Sequence, residues 1–289
     1  MQDNAKGSLL MVGAMLGFTV NDAIMKVVGA NIPLFQMVFL RGIPATLFLV
    51  LLAWCLGNLR VQAPAKDWAL ACLRAAMEVG AAYFFIFALL RMELANVTAV
   101  LQVLPLSVAL AAALVFREPL GWRRLLAILI GFCGVMLIVR PGPDGFTQQS
   151  IYALIAVALV TIRDLAARRM SKAMPSIMGA VISSAAVCGA AGLASTTEPW
   201  VAVSALNLGH LAAAAMVVAL AYICSVMAMR VGEITFIAPF RYSGLIAALL
   251  IGFVVFGDWP DALTLLGAAI VVATGLFTLY RESVARAKS

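Results

Sequence analysis

The chain has 289 residues, of which 64% are hydrophobic and 11% charged, with a formal net charge of +7. A soluble domain carries roughly 25% charged residues, so this chain has too little polar surface to fold about a core in water, and lipid must be the solvent for much of its outside. A nucleic-acid partner is excluded on the same ground, because the basic residues stand at the ends of apolar segments, where anionic lipid attracts them.

A bilayer core of about 30 Å takes about 20 apolar residues as a helix. Ten such segments follow in order: 8–28, 34–56, 68–91, 94–116, 122–140, 149–170, 174–195, 207–230, 234–256 and 262–281. Lys6 ahead of the first mimics the start of a signal peptide, but Asp22 and Lys26 at its end belong to a recurring pattern, so the segment is expected to be retained. Short connections carry the punctuation of helix ends: Gly57-Asn58, Pro64, Arg117-Glu118-Pro119, Pro141-Gly142-Pro143, Glu198-Pro199 and Asp258-Trp259-Pro260. Thirteen Lys and Arg fall on the side that holds both termini and three, Lys26, Arg91 and Arg140, on the other. The positive-inside rule therefore puts both termini in the cytoplasm of a cell bounded by this inner (plasma) membrane.

A pattern recurs almost half the chain apart. Asp22, Lys26 and Pro33 stand at the same mutual spacings as Asp164, Arg168 and Pro175, each set closing one apolar helix and opening the next. Phe116-Arg117-Glu118 and Phe256-Gly257-Asp258 form a second pair at a slightly shorter offset, which also places Gln102 on Tyr242 and Ala127 on Gly267. The expectation is an all-α integral membrane protein of ten transmembrane helices, arranged as two inverted five-helix repeats over residues 1–145 and 146–289. Five helices per unit is an odd number, so the second unit must cross the membrane upside down, with a substrate site between the halves.

These two five-helix halves, the Phe-Arg-Glu-Pro and Phe-Gly-Asp-Trp-Pro signatures, and Pro239-Phe240-Arg241-Tyr242-Ser243-Gly244 resemble the drug/metabolite transporter superfamily. More narrowly the chain resembles its EamA branch, which includes amino-acid and metabolite exporters. Asp258 stands where that family more often has Glu. The resemblance implies a secondary carrier that exports small organic metabolites, amino acids including aromatic ones first among them. Riboflavin, nucleoside or nucleotide-sugar transport is the alternative it leaves open.

Seven ionisable residues fall within the spans away from the loops: Asp22, Arg41, Arg74, Glu78, Arg163, Asp164 and Arg241. Charges at such depth are costly and should face protein or a water-filled cavity. Glu78 lies about 15 Å into the third segment, at the bilayer centre. Arg74 is one turn before it, Phe85 two turns after it on the same face, and Tyr83, Phe84 and Phe87 follow closely. A central acid beside aromatic surface suits small solutes carrying an amine or a planar group. The other reading is an Arg74–Glu78 intrahelical pair with the aromatics facing lipid.

Arg241 and Tyr242 in the ninth segment follow Pro239, and Gln102 in the fourth precedes Pro105. These prolines are hinge candidates, since each removes a helical hydrogen bond and can bare carbonyls to a cavity. Gly13, Gly17 and Asn21 form a stripe on the first segment that ends beside Asp22, and Arg163 with Asp164 occupies the equivalent place in the sixth. The two groups mark opposite rims of one cavity, or else Asp22–Lys26 and Asp164–Arg168 are ordinary i,i+4 pairs. Segments one, three, four, six, eight and nine are expected to line the cavity.

Cys55, Cys72, Cys133, Cys188 and Cys224 all lie in apolar segments without a Cys-x-x-Cys spacing, and His210 is the single histidine. Metal sites and Ser-His-Asp chemistry therefore lack their parts, and no Walker A or dinucleotide loop is present. No cofactor, no catalytic residue and no obligate protein partner is expected, only a small-molecule substrate and membrane lipid. A membrane-embedded transferase would need acid–base or metal residues gathered at one face, and a channel would need a ring of like charges. Neither pattern is evident.

Overall fold

The computed structural model describes residues 2–58, 61–117, 121–140, 146–171, 173–231 and 234–286. Several expected features fall elsewhere: Glu118-Pro119, Pro141-Gly142-Pro143, Arg60, Lys172 and Lys288 lie outside the described residues. The regular elements among the described residues are all helices, with α1 (Gln2–Val28), α2 (Leu34–Cys55), α3 (Ala65–Arg91), α4 (Leu94–Leu101), α5 (Leu104–Phe116), α6 (Trp122–Val139), α7 (Gln148–Arg169), α8 (Ser176–Ala194), α9 (Ala205–Val231), α10 (Ile234–Ile237), α11 (Ser243–Ile251) and α12 (Ala262–Arg286). Among the described residues ten stretches are long and apolar enough to cross a membrane, so the protein is a multi-pass membrane protein. The first helix begins six residues before its apolar core because Gln2–Gly7 continues it as a polar turn and a half.

Helix ends obey local chemistry. Pro33, Pro64 and Pro175 stand at the N-caps of α2, α3 and α8, where a missing N–H costs nothing and the preceding chain is held extended. Thr147 caps α7 by accepting a hydrogen bond from the Ser150 amide at 3.3 Å. Two spans are interrupted. The fourth breaks at Gln102–Val103, between α4 and α5, with Pro105 in the first turn of α5. The ninth runs through α10, a 3-10 turn at Ala238–Tyr242 that contains Pro239, then α11, and ends in a π-helical turn at Gly252–Phe256. Both proline positions therefore coincide with a change in helix geometry.

Burial runs opposite to that of a soluble protein. Leu9, Leu114, Leu193 and Val254 are each at least 73% exposed, whereas the interior is rich in alanine and other small residues. With lipid outside, hydrophobicity alone does not hold the helices together, and close backbone approach does. Gly134 on α6 and Gly267 on α12 meet face to face: a Cβ on Gly267 would sit 2.5 Å from the Gly134 carbonyl. Gly17 on α1 admits Ala221 of α9, whose Cβ would stand 2.8 Å from an added methyl, while Gly13 faces open space.

The helices pack in an ordered set of pairs. α1 runs along α9, α3 along α7, α2 against α8, α6 against α12, and α4 against α11. Further contacts join α2 to α9, α3 to α8, α1 to α11, and α5 to α7. Exchanging α1 with α7, α2 with α8, α3 with α9, the α4–α5 span with α11, and α6 with α12 leaves this set unchanged.

Candidate functional site

Where α2, α3, α8 and α9 converge, a cavity of about 110 Å³ opens. It is lined from α2 by Arg41, Gly42, Ala45 and Leu49, from α3 by Arg74, Glu78 and Ala82, from α8 by Ser183, Ser184 and Val187, and from α9 by Val218, Ala219 and Tyr222. The lining helices differ from the expected ones: spans two and seven contribute, while one, four, six and nine do not. The reason is packing. α1 packs along α9 and α7 along α3, and no residue of α1 or α7 lines the cavity.

Glu78 is held by a helix far away in sequence. Both its oxygens accept from Arg163 Nη1 of α7, at 3.1 and 3.0 Å. The same guanidinium donates from Nε and Nη2 to Asp164 Oδ1 at 2.9 and 2.8 Å. The Arg163 and Glu78 side chains are each 21% exposed, so the pair is largely shielded. The Arg74–Glu78 pair, the other reading of the spacing, is not formed, because Glu78 turns to Arg163, which offers a fork that engages both carboxylates. Arg74 instead passes beside Gly179 of α8, and its Nε is buried without an acceptor.

A second polar group stands at the α1–α2 side. Asn21, 4% exposed, accepts from Arg41 Nη1 at 3.2 Å and donates to Asp22 Oδ1 at 2.9 Å. Asp22 interacts electrostatically with Arg41 without reaching ion-pair distance. Lys26 does not pair with Asp22 as an i,i+4 partner. Its ammonium donates to the Met92 carbonyl at the end of α3 and lies 5.3 Å from the centre of the Phe256 ring.

The remaining candidates are placed elsewhere. Tyr83 stacks on Phe35 at 5.6 Å and joins Phe84, Phe87 and Tyr152 in an aromatic cluster between α3 and α7. Phe85 packs against the main apolar core. Gln102 sits at the α4–α5 break beside Gly244 of α11, where its amide would lie 3.8 Å from an added Cβ. Tyr242 is buried against Gly275 of α12, with its hydroxyl lacking a partner. Arg241 is exposed, because the ninth span starts in the 3-10 turn at Ala238 and leaves Arg241 near its end, where it can snorkel. None of these five lines the cavity.

Three liners carry polar chemistry that was not singled out from sequence: Ser183, Ser184 and Tyr222. Ser184 shares a 2.8 Å hydrogen bond with Thr46 of α2, and the Ser183 hydroxyl is buried without a partner. A signal existed, since Ser183 stands after Pro175 where Arg41 stands after Pro33. Among the described residues no group of His, Cys, Asp and Glu is placed to hold a metal ion, and the five cysteines are free thiols.

Known proteins resemble this arrangement along its length. Residues 5–140 match the EamA-like transporter family. An S-adenosylmethionine uptake transporter of Rickettsia conorii is 23% identical over 99% of this chain and 97% of its own length. A pseudopaline exporter of Pseudomonas aeruginosa is 26% identical over 92% of this chain and 93% of its own. A riboflavin transporter of Vibrio cholerae is 29% identical over 64% of this chain and 62% of its own. A solved crystal structure superposes with a TM-score of 0.68 over 99% of both chains at 17% identity, which shows a shared fold.

Proposed function

From the EamA-like transporter family domain that this chain carries, we propose a secondary carrier that moves small organic metabolites outward by alternating access, amino acids, aromatic ones included, being the favoured cargo. The relatives' names point to transporters of small metabolites rather than to enzymes. The observation that carries the reading is the cavity itself, enclosed by α2, α3, α8 and α9 and furnished with the charges of Arg41 on α2 and of Arg74 and Glu78 on α3. Glu78 is thirteen residues into α3, about 20 Å along it at 1.5 Å per residue. Charge at that depth is costly in lipid and faces protein or a water-filled cavity.

The carrier is built, on this reading, from inverted halves 1–145 and 146–289, in the inner membrane with both termini cytoplasmic. The packing set that survives exchange of the halves supports this, as do the paired breaks in spans four and nine. The cavity lies where the two halves meet, lined equally by α2 and α3 of one and α8 and α9 of the other. Rocking of one half on the other would open it to each side in turn, with Pro105 and Pro239 at the bends. The similarity to a riboflavin transporter supports a second cargo class, flat heteroaromatic solutes.

The test is counterflow. Purified protein in liposomes preloaded with unlabelled amino acids should accumulate labelled amino acid transiently and saturably. Absence of counterflow for amino acids and for riboflavin alike would sink the carrier reading, and counterflow for riboflavin alone would select the second cargo class.

A further inference from the structure

Donors around the cavity outnumber free acceptors. Arg41 and Arg74 both line it, and neither has a carboxylate within 4.0 Å among the described residues. The Nε of each is buried without an acceptor, and so is the hydroxyl of Ser183, a residue 4% exposed. Arg41 has the neutral Asn21 amide oxygen at 3.2 Å. Tyr222, on the facing helix, is within electrostatic reach of Arg41, Arg74, Glu78 and Arg163, so these groups share one small volume.

The acid of the cavity is already used. Both Glu78 oxygens are taken by Arg163, and Asp164 takes the other nitrogens of that guanidinium. What the protein leaves unmet is therefore positive charge and hydrogen-bond donation. A guanidinium out of water calls for an oxyanion, and its planar fork fits a carboxylate in two-point contact.

Resting on the reading of this cavity as the transport site, we propose that the cargo is anchored by its carboxylate, held between Arg41 and Arg74 with the Ser183 hydroxyl donating a further bond. Glu78 is then the strut that keeps α3 on α7, and not the group that receives a cargo amine. The cavity selects for an acid function, and a solute whose carboxylate is replaced by a neutral amide or removed is rejected.

Thermal protection of the purified full chain in detergent separates the possibilities. Three pools are compared at equal concentration: the free amino acids, the same amino acids as carboxamides, and phosphate monoesters of small alcohols. The amino-acid pool should raise the melting temperature and the carboxamide pool should not. Arg41→Gln and Arg74→Gln should each raise the half-protecting concentration about tenfold or more, the loss expected for one charge-assisted hydrogen bond, and Ser183→Ala less. Should a glutamine variant fail to fold, Arg74→Lys carries the test, because lysine keeps the charge and loses the fork, and partial loss is expected.

Equal protection by carboxamides overturns the carboxylate anchor, as does protection by the phosphate esters alone, or by no pool. Counterflow of riboflavin in a preparation that no pool protects would remove the anchor and keep the carrier. Loss of all counterflow together with retained, Arg41-dependent protection by amino acids would keep the anchor and remove the carrier.

Discussion

Arg163 and Arg74 stand on either side of Glu78, and their surroundings differ. Arg163 bridges α7 to α3 with every donor group facing a carboxylate, two oxygens of Glu78 and one of Asp164. Arg74, one turn before Glu78 on the same helix, has a buried Nε with nothing to donate to. The first arrangement holds two helices together. The second holds a charge ready beside an opening, at a cost to stability. A buried charge is therefore read by its partners and not by its depth, and the unpartnered one points to where a solute binds.

The comparison predicts opposite outcomes for two equivalent substitutions. Arg163→Gln leaves Glu78 and Asp164 without their cation. Breaking a fully buried pair costs about 3–5 kcal/mol, and with both side chains 21% exposed the expected loss is about 2 kcal/mol. Glu78→Gln in the same chain should restore part of it, a coupling read from melting temperatures in a double-mutant cycle. Arg74→Gln removes an uncompensated cation and should change stability by less than about 1 kcal/mol, or raise it, while impairing transport. Similar destabilisation by both would erase the distinction.

A smaller effect is expected at the bends. Pro105→Ala and Pro239→Ala stiffen the fourth and ninth spans without touching the cavity lining. Turnover should fall about threefold or more, with the half-saturating concentration little changed, as for other hinge positions. Equal losses in turnover and affinity would place these residues in binding instead.

The smallest effect concerns an exposed arginine pair, outside the spans. Arg140 donates to Asp261, which also accepts from the Thr264 amide at 2.9 Å and so caps α12. The hydrogen bond from Arg140 holds the Asp261 carboxyl down at about 2. The folded value lies below the ordinary value of about 3.9, so the contribution is present above about pH 4 and is lost as pH falls through about 2. Asp261→Asn should lower stability slightly at neutral pH, where the contribution is present, and flatten its acid dependence in that window. An unchanged acid profile would show that the pair does not hold in solution.

How much of this was legible in the sequence depends on the interaction. The ten spans were, because about 20 apolar residues in a row have one meaning. The bends were legible at Pro105 and Pro239, since proline cannot donate to the helix. Glu78 and Arg163 were both marked as costly charges, but their contact joins helices 85 residues apart and could not be read from spacing. Spacing on one helix offered Arg74 as one possible partner of Glu78, and the fork of Arg163 takes that place. Arg241 and Tyr242 lie within a 3-10 turn, so α-helical spacing did not give the direction of their side chains. Ser183 was marked only by its place after Pro175, matching that of Arg41 after Pro33, and a serine in an apolar helix otherwise commonly bonds its own backbone.

Alternating access is the central claim, and access can be measured at one residue. Ser184→Cys, in a chain whose five native cysteines are replaced by alanine, puts a nearly isosteric thiol in the cavity wall, where Ser184 meets Thr46. In sealed vesicles of each orientation, an impermeant thiol reagent is applied to one face at a time. The account predicts labelling from both faces, each slowed by saturating amino acid. Labelling from a single face, however long the exposure, would contradict it.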